Sequence, residues 1–150
     1  MRILDYDFVE DLIERLSRIA PGAKPGWGRL DAPGMIAHLT DAVRFSMGRA
    51  GRLPDQSTWF SRNVIGPLLL YGVLRFPKNV QLPRPEGGPG PANPEGDLDI
   101  LHAVLEDYLR RVETGELEPP PHPSFGAIGV DGWARLHIAH FEHHLRQFGA

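Results

Sequence analysis

The stretch Asp131-Gly132-Trp133-Ala134-Arg135-Leu136-His137-Ile138-Ala139-His140-Phe141-Glu142-His143-His144-Leu145-Arg146-Gln147-Phe148 decides how this chain folds. Wound as an α-helix, it brings Trp133, His137, His140, His144 and Phe148 within about 80° of arc, with Leu136 and Phe141 flanking them. That face is aromatic and aliphatic at its ends and imidazole in its middle. His143 falls about 100° from His144, at the edge of the stripe, and Glu142 points nearly opposite. Asp131 is placed to cap the start and Gly149 to close the end, which predicts a helix over roughly 131–148. A helix with such a stripe needs other helices to bury it against.

Three further segments carry the same periodicity, and none shows a convincing strand alternation. Over residues 5–19 the stripe is Phe8, Leu12, Leu16 and Ile19, flanked by Ile13. Acidic residues lead that helix, Arg15 and Arg18 end it, as the helix dipole prefers, and Pro21-Gly22 stops it. A second helix opens at Asp31 as N-cap with Pro33 in its first turn, carries Met35, Leu39, Ala42 and Phe45 inward, and closes at Gly48. A third spans 97–114, where Leu98, Leu101, Leu105, Tyr108 and Val112 alternate by three and four, a heptad-like seam. Four amphipathic helices in a chain of 150 residues predict an all-α fold, a four-helix bundle in a single domain over 1–150.

The middle of the chain reads differently. Residues 59–76 are apolar almost all round, which predicts a buried or shielded helical segment interrupted near Gly66-Pro67. Residues 77–96 then hold six prolines and four glycines, which cannot sustain regular structure and predict a long connecting loop. A second proline-rich loop, Pro119-Pro120-Pro121-His122-Pro123, precedes the last helix.

Composition closes several routes. There are no cysteines, so disulfides, thiolate nucleophiles and cysteine-rich zinc modules are excluded, and any metal must be held by His, Asp or Glu. Sixteen Lys and Arg against 19 Asp and Glu give a net charge of −3, which argues against a nucleic-acid partner. The most apolar run, the twelve uncharged residues between Arg62 and Arg75, falls short of the about 20 that a bilayer span needs. Neither a membrane partner nor a secretory leader is expected, and the expected compartment is the cytoplasm.

Seven histidines are present, four of them within His137–His144. His140 and His144 lie one turn apart, the spacing that lets one ion bind both. His38 shares the inner face of the second helix with Met35, Ala42 and Phe45. It therefore points into the interior, where an unpaired ring costs roughly 1–3 kcal/mol. Two readings follow. Either the rings are hydrogen-bonded core residues, or a third imidazole from a facing helix completes a three-nitrogen metal site with open coordination positions, as catalytic sites have. The order His140-Phe141-Glu142-His143-His144 is not a zincin motif, since Glu142 faces away.

Trp27-Gly28-Arg29-Leu30 followed by Met35-Ile36-Ala37-His38-Leu39 resembles the start of a DinB-like (damage-inducible, YfiT-like) domain. So does the closing pattern His122-Pro123-Ser124-Phe125-Gly126, Trp133, then His140-x-x-His143-His144-Leu145-Arg146-Gln147-Phe148-Gly149. Within that superfamily the chain is most similar to a bacterial group carried as a domain of unknown function. The likeness covers about 26–48 and 121–149, is topological over 1–20 and 97–115, and is absent over 50–96. It implies an up-down-down-up four-helix bundle with a divalent metal, zinc or nickel, in a three-His pocket. Carried over, the ligands are His38, His140 and His144. The resemblance also implies thiol-dependent S-transferase or isomerase chemistry with a low-molecular-weight thiol as co-substrate, and the expected activity is that of a metal-dependent transferase or hydrolase acting on a small molecule. The ion's part would be to make a nucleophile from a bound water or substrate thiol at neutral pH. Three imidazoles suit zinc, nickel and iron(II) alike.

Other residues carry paired readings. Gln147, three positions after His144, either hydrogen-bonds a metal-bound water or a ligand imidazole, or caps its own helix end. Asp41 either accepts from His38 or stays exposed. His137 is a fourth ligand, a proton shuttle or a core ring. Trp27, Trp59 and Trp133 are expected in the core or against loops, His122 to shape its own loop, and His102 on the surface. Arg44, Arg49 and Arg52 either attract an anion or form a solvated face. The alternative to an enzyme is a non-catalytic binding domain that uses 59–76 as a homodimer seam or partner surface.

Overall fold

The computed structural model describes residues 2–49, 55–76 and 96–150, and among them the chain is all-helical. Helix α1 spans Tyr6–Ser17, α2 Ala32–Ser46, α3 Gly66–Leu70, α4 Leu98–Glu113 and α5 Gly129–Gln147. Arg52 and the proline- and glycine-rich stretch 77–95 lie outside the described residues.

Short polar side chains begin three of these helices by taking up their orphan amide protons. Asp5 accepts from the Phe8 amide at 2.8 Å, Asp31 from Gly34 at 2.7 Å, and Asp97 from Asp99 at 2.8 Å. Phe8, Leu12 and Leu16 are buried on α1, as the spacing predicts, and Leu101, Leu105 and Tyr108 on α4. Burying each such leucine is worth roughly 1.5–3 kcal/mol. α1 and α2 each pack against both α4 and α5, so the main core fills the space between these four helices.

On α2 the predicted stripe divides. Met35, Leu39, Val43 and Ser46 are buried, whereas Ala42 and Phe45 are half-buried along with His38. One face of α2 thus serves the core, and an adjacent strip serves α5. That strip carries the histidine.

α5 starts at Gly129, two residues ahead of the expected boundary, and Asp131 is not its cap. Gly129 takes φ +70°, a backbone state open to glycine, which turns the preceding loop into the helix early. Asp131 sits in the first turn and binds Arg135 at 3.0 Å. The loop before it is folded on His122, whose Nδ1 accepts the amides of Ser124 and Phe125 at 3.0 and 3.2 Å. Trp133 Nε1 donates to the Pro120 carbonyl at 2.9 Å and pins that loop to α5.

The apolar segment 59–76 departs from expectation twice. It is not interrupted at Gly66-Pro67: a π-helical turn, Ser61–Ile65, runs straight into α3. The Gly66 amide reaches the Ser61 carbonyl five residues back, a wide turn that makes room for the proline ring. Nor is the segment buried. Leu69 packs with Trp133 and Leu136 of α5 in a second, smaller cluster. Trp59, Phe60, Tyr71 and Val73 are all more than half exposed, so Trp59 is not a core residue. An apolar run without periodicity has no inward face to read, and only α3's contact with α5 defines one. No helix among the described residues is long and apolar enough to cross a membrane.

Candidate metal centre

Helices α2 and α5 face one another along the strip that carries His38, and the ring of His38 meets those of His140 and His144 there. His38 Nε2 lies 2.9 Å from His140 Nε2, and His144 Nε2 lies 3.1 Å from the same atom. The ring centroids are 4.8, 5.0 and 4.7 Å apart, each pair close to edge-on. His144 is buried, and His38 and His140 are half-buried. Three nitrogens from two helices, 102 residues apart in sequence, therefore converge on one point.

Protons serve this arrangement poorly. Gln147 Nε2 donates to the Trp27 carbonyl at 2.8 Å, and a carbonyl can only accept, so the amide orientation is fixed. Gln147 Oε1 then faces His144 Nδ1 at 2.8 Å, and that nitrogen must carry the proton. His144 Nε2 is left as a bare lone pair aimed at the cluster. His140 Nε2 can be donor or acceptor, not both, yet it makes two short contacts. If it donates, one proton is shared between two acceptors; if it accepts from His38, its contact with His144 sets lone pair against lone pair.

Adding a proton does not resolve the conflict. Burial lowers the pKa of His38 to about 4, assisted by the neighbouring imidazoles of His144 and His143. Burial also pushes His140 well below the usual range, with His38 and His144 adding to the effect. His144 is lowered by burial, partly offset by its bond to Gln147. A set of neutral rings with converging lone pairs suits a cation. Bonds of about 2.0–2.1 Å from imidazole nitrogen to a divalent ion put neighbouring ligands roughly 3 Å apart, and the three side chains meet the distance requirement for holding one ion.

The remaining candidates sort by contact. Gln147 is the orienting partner behind His144, not a cap of its own helix end, and second-sphere groups of this kind set the tautomer of a ligand. His137 is a core ring: its Nε2 lies 2.8 Å from Ser46 Oγ, its ring stacks on Phe141 and meets Tyr108 edge-on, and it is not in the three-nitrogen set. Because Ser46 donates to the Val43 carbonyl, its oxygen accepts from His137, fixing that tautomer too. Glu142 faces away as predicted, bound by Arg2 at 2.7 Å and Arg15 at 3.0 Å. Asp41 pairs with Arg44 at 3.9 Å and Arg49 with Asp107 at 2.7 Å. His102 is half-buried rather than on the open surface, 2.6 Å from Glu10 and 3.3 Å from Glu106 across α1 and α4.

Sequence reading missed two contributors. Phe76 places its ring 5.7 Å from His140 and 5.8 Å from His143. The Trp27 carbonyl, which fixes the amide of Gln147, is a main-chain group that no side-chain pattern reveals. The Trp27 ring also meets His143 edge-on at 5.6 Å.

A family model described as a protein of unknown function (DUF1569) matches the chain over residues 1–150. No curated protein and no solved structure matches it.

Proposed function

We propose that this chain, which belongs to the DUF1569 family, is a divalent-metal-dependent enzyme of transferase or hydrolase type acting on a small molecule. In this reading the single domain is a four-helix bundle of the DinB-like kind, formed by α1, α2, α4 and α5, with α3 as an added apolar segment. His38, His140 and His144 are the ligands, and Gln147 holds His144 in the tautomer that leaves Nε2 free to bind. The observation that carries the reading is the convergence of three imidazole Nε2 atoms, which protons can link only by dividing one between two acceptors or by setting two lone pairs face to face. Bound there, zinc or nickel would supply the Lewis acidity that makes a nucleophile of water, or of a low-molecular-weight thiol, near neutral pH. The chain's own residues hold the ligand rings in place, and the Phe76 ring lies against His140. Among the described residues none is placed as a dedicated general base.

Elemental analysis of the purified protein tests the assignment. We expect close to one transition-metal ion per chain, falling at least tenfold in His38→Ala and His140→Ala while helix content is retained. Wild-type protein that carries no metal, and whose melting temperature does not rise when zinc or nickel is added, would overturn it.

A second reading, a non-catalytic helical binding or dimerisation domain, draws on the exposure of Trp59, Phe60, Tyr71 and Val73. It predicts a homodimer by light scattering that persists in the histidine variants and is lost in Trp59→Ser. A monomer at micromolar concentrations counts against it.

A further inference from the structure

His102 belongs neither to the three-imidazole centre nor to the core. It stands on α4 one turn before Glu106 and meets Glu10 of α1 across the junction of the two helices. Its Nε2 lies 2.6 Å from Glu10 Oε1 and 3.3 Å from Glu106 Oε1. All three donor atoms fall within 4.8 Å of one another. Both glutamate side chains are more than half exposed, and the imidazole is half-buried.

An ion pair accounts only in part for this arrangement. Nε2 carries at most one proton and meets two anionic oxygens, so one of them goes without. On α4 the imidazole precedes the carboxylate by four residues, the less favourable order for a helical pair. Among the described residues no lysine or arginine lies within ion-pair distance of Glu10 or Glu106. Asp107, next to Glu106, is by contrast bound by Arg49, Arg110 and Arg111. The guanidinium one turn beyond Glu106 thus serves a different carboxylate.

Two carboxylates and one imidazole offer two negative charges and three donors, which a single divalent ion satisfies together. Bonds of about 2.0–2.2 Å to such donors put neighbouring ligand atoms roughly 3 Å apart, and the two observed spacings bracket that value. The backbone under each donor is held, because Val9 beside Glu10, Leu101 beside His102 and Leu105 beside Glu106 are fully buried.

We infer that Glu10, His102 and Glu106 form a second divalent-cation site, for zinc or a similar transition ion, that clasps α1 to α4. The imidazole favours such an ion over magnesium or calcium, which take oxygen donors. One ring and two exposed carboxylates hold an ion less tightly than three imidazoles, so this site fills when zinc is supplied and empties during purification. The inference is independent of the metal reading above, since the two sites share no residue.

Histidine ring resonances, followed by NMR as zinc is added at a fixed pH slightly above neutral, read the two places separately. We expect the His102 signals to shift saturably with zinc and to stay in place with the same concentration of magnesium. Glu10→Gln and Glu106→Gln, which keep size and remove one charged donor each, should weaken the His102 response roughly tenfold or more, with the His140 and His144 signals unaltered. No zinc shift at His102, an undiminished response in both variants, or an equal response to magnesium would overturn the inference. Shifts at His140 and His144 without one at His102 would remove this site and leave the three-imidazole centre standing, and the reverse would do the opposite.

Discussion

Spacing alone brought His38, His140 and His144 to interior faces, because a helix repeats every 3.6 residues and imidazoles on an apolar stripe must point inward. Spacing could not distinguish ligand from core ring, and His137 shows why. It shares the stripe with His140 and His144, yet a serine hydroxyl on α2 receives its Nε2 proton and makes it a packing residue. What separates the two roles is the partner across the gap, which belongs to another helix. His122 offers a measurable consequence of the same principle. Burial lowers its pKa from 6.5 to about 4, and Nδ1 accepts two amides only while it is unprotonated. The unfolded chain takes up this proton first as pH falls, so the stabilisation is intact above about pH 6.5 and is lost progressively down to about pH 4. At most roughly 3 kcal/mol is at stake. His122→Asn keeps an acceptor for the two amides but has no ring to titrate. Urea unfolding at about pH 7 and about pH 4.5 should show a smaller pH loss for this variant than for wild type.

Helix identity was legible where caps and periodicity agreed. Asp31 is the N-cap that the sequence implies, and Asp5 and Asp97, at the starts read for their helices, also prove to be caps. The start of α5 was misplaced because Asp131 looks like a cap, whereas Gly129's left-handed backbone begins the helix before it. The π-helical turn before α3 left no mark in the sequence beyond Gly66-Pro67, which reads as a break. Removing a cap probes the link between helix and site. Asp31→Ala forfeits the bond to the Gly34 amide and should cost about 1 kcal/mol in chemical denaturation. Since α2 carries His38 seven residues further on, fraying its first turn should also speed loss of an ion held there to a chelator, relative to a matched change at the Asp97 cap of α4, which carries none of the three imidazoles. Equal rates in the two variants would mean that the cap does not steady the ligand.

The all-helical character of the described residues followed from four amphipathic stripes, and the contacts of α1 and α2 with both α4 and α5 give those stripes their partners. Exposure of the 59–76 segment did not follow, because hydrophobicity says that a surface avoids water and not what covers it. The link between α5 and the loop ahead of α2 was equally hidden, and it makes Gln147 a double clasp. Its side chain holds the Trp27 carbonyl at 2.8 Å, and its main-chain oxygen receives the Gly26 amide at 2.6 Å. Whatever steadies the imidazole of His144 therefore steadies a stretch of backbone more than a hundred positions upstream. Deuterium uptake at Gly26 becomes a gauge of site occupancy. Saturating zinc should slow exchange at that amide by about tenfold or more, whereas Gln147→Ala should leave it fast with or without the ion.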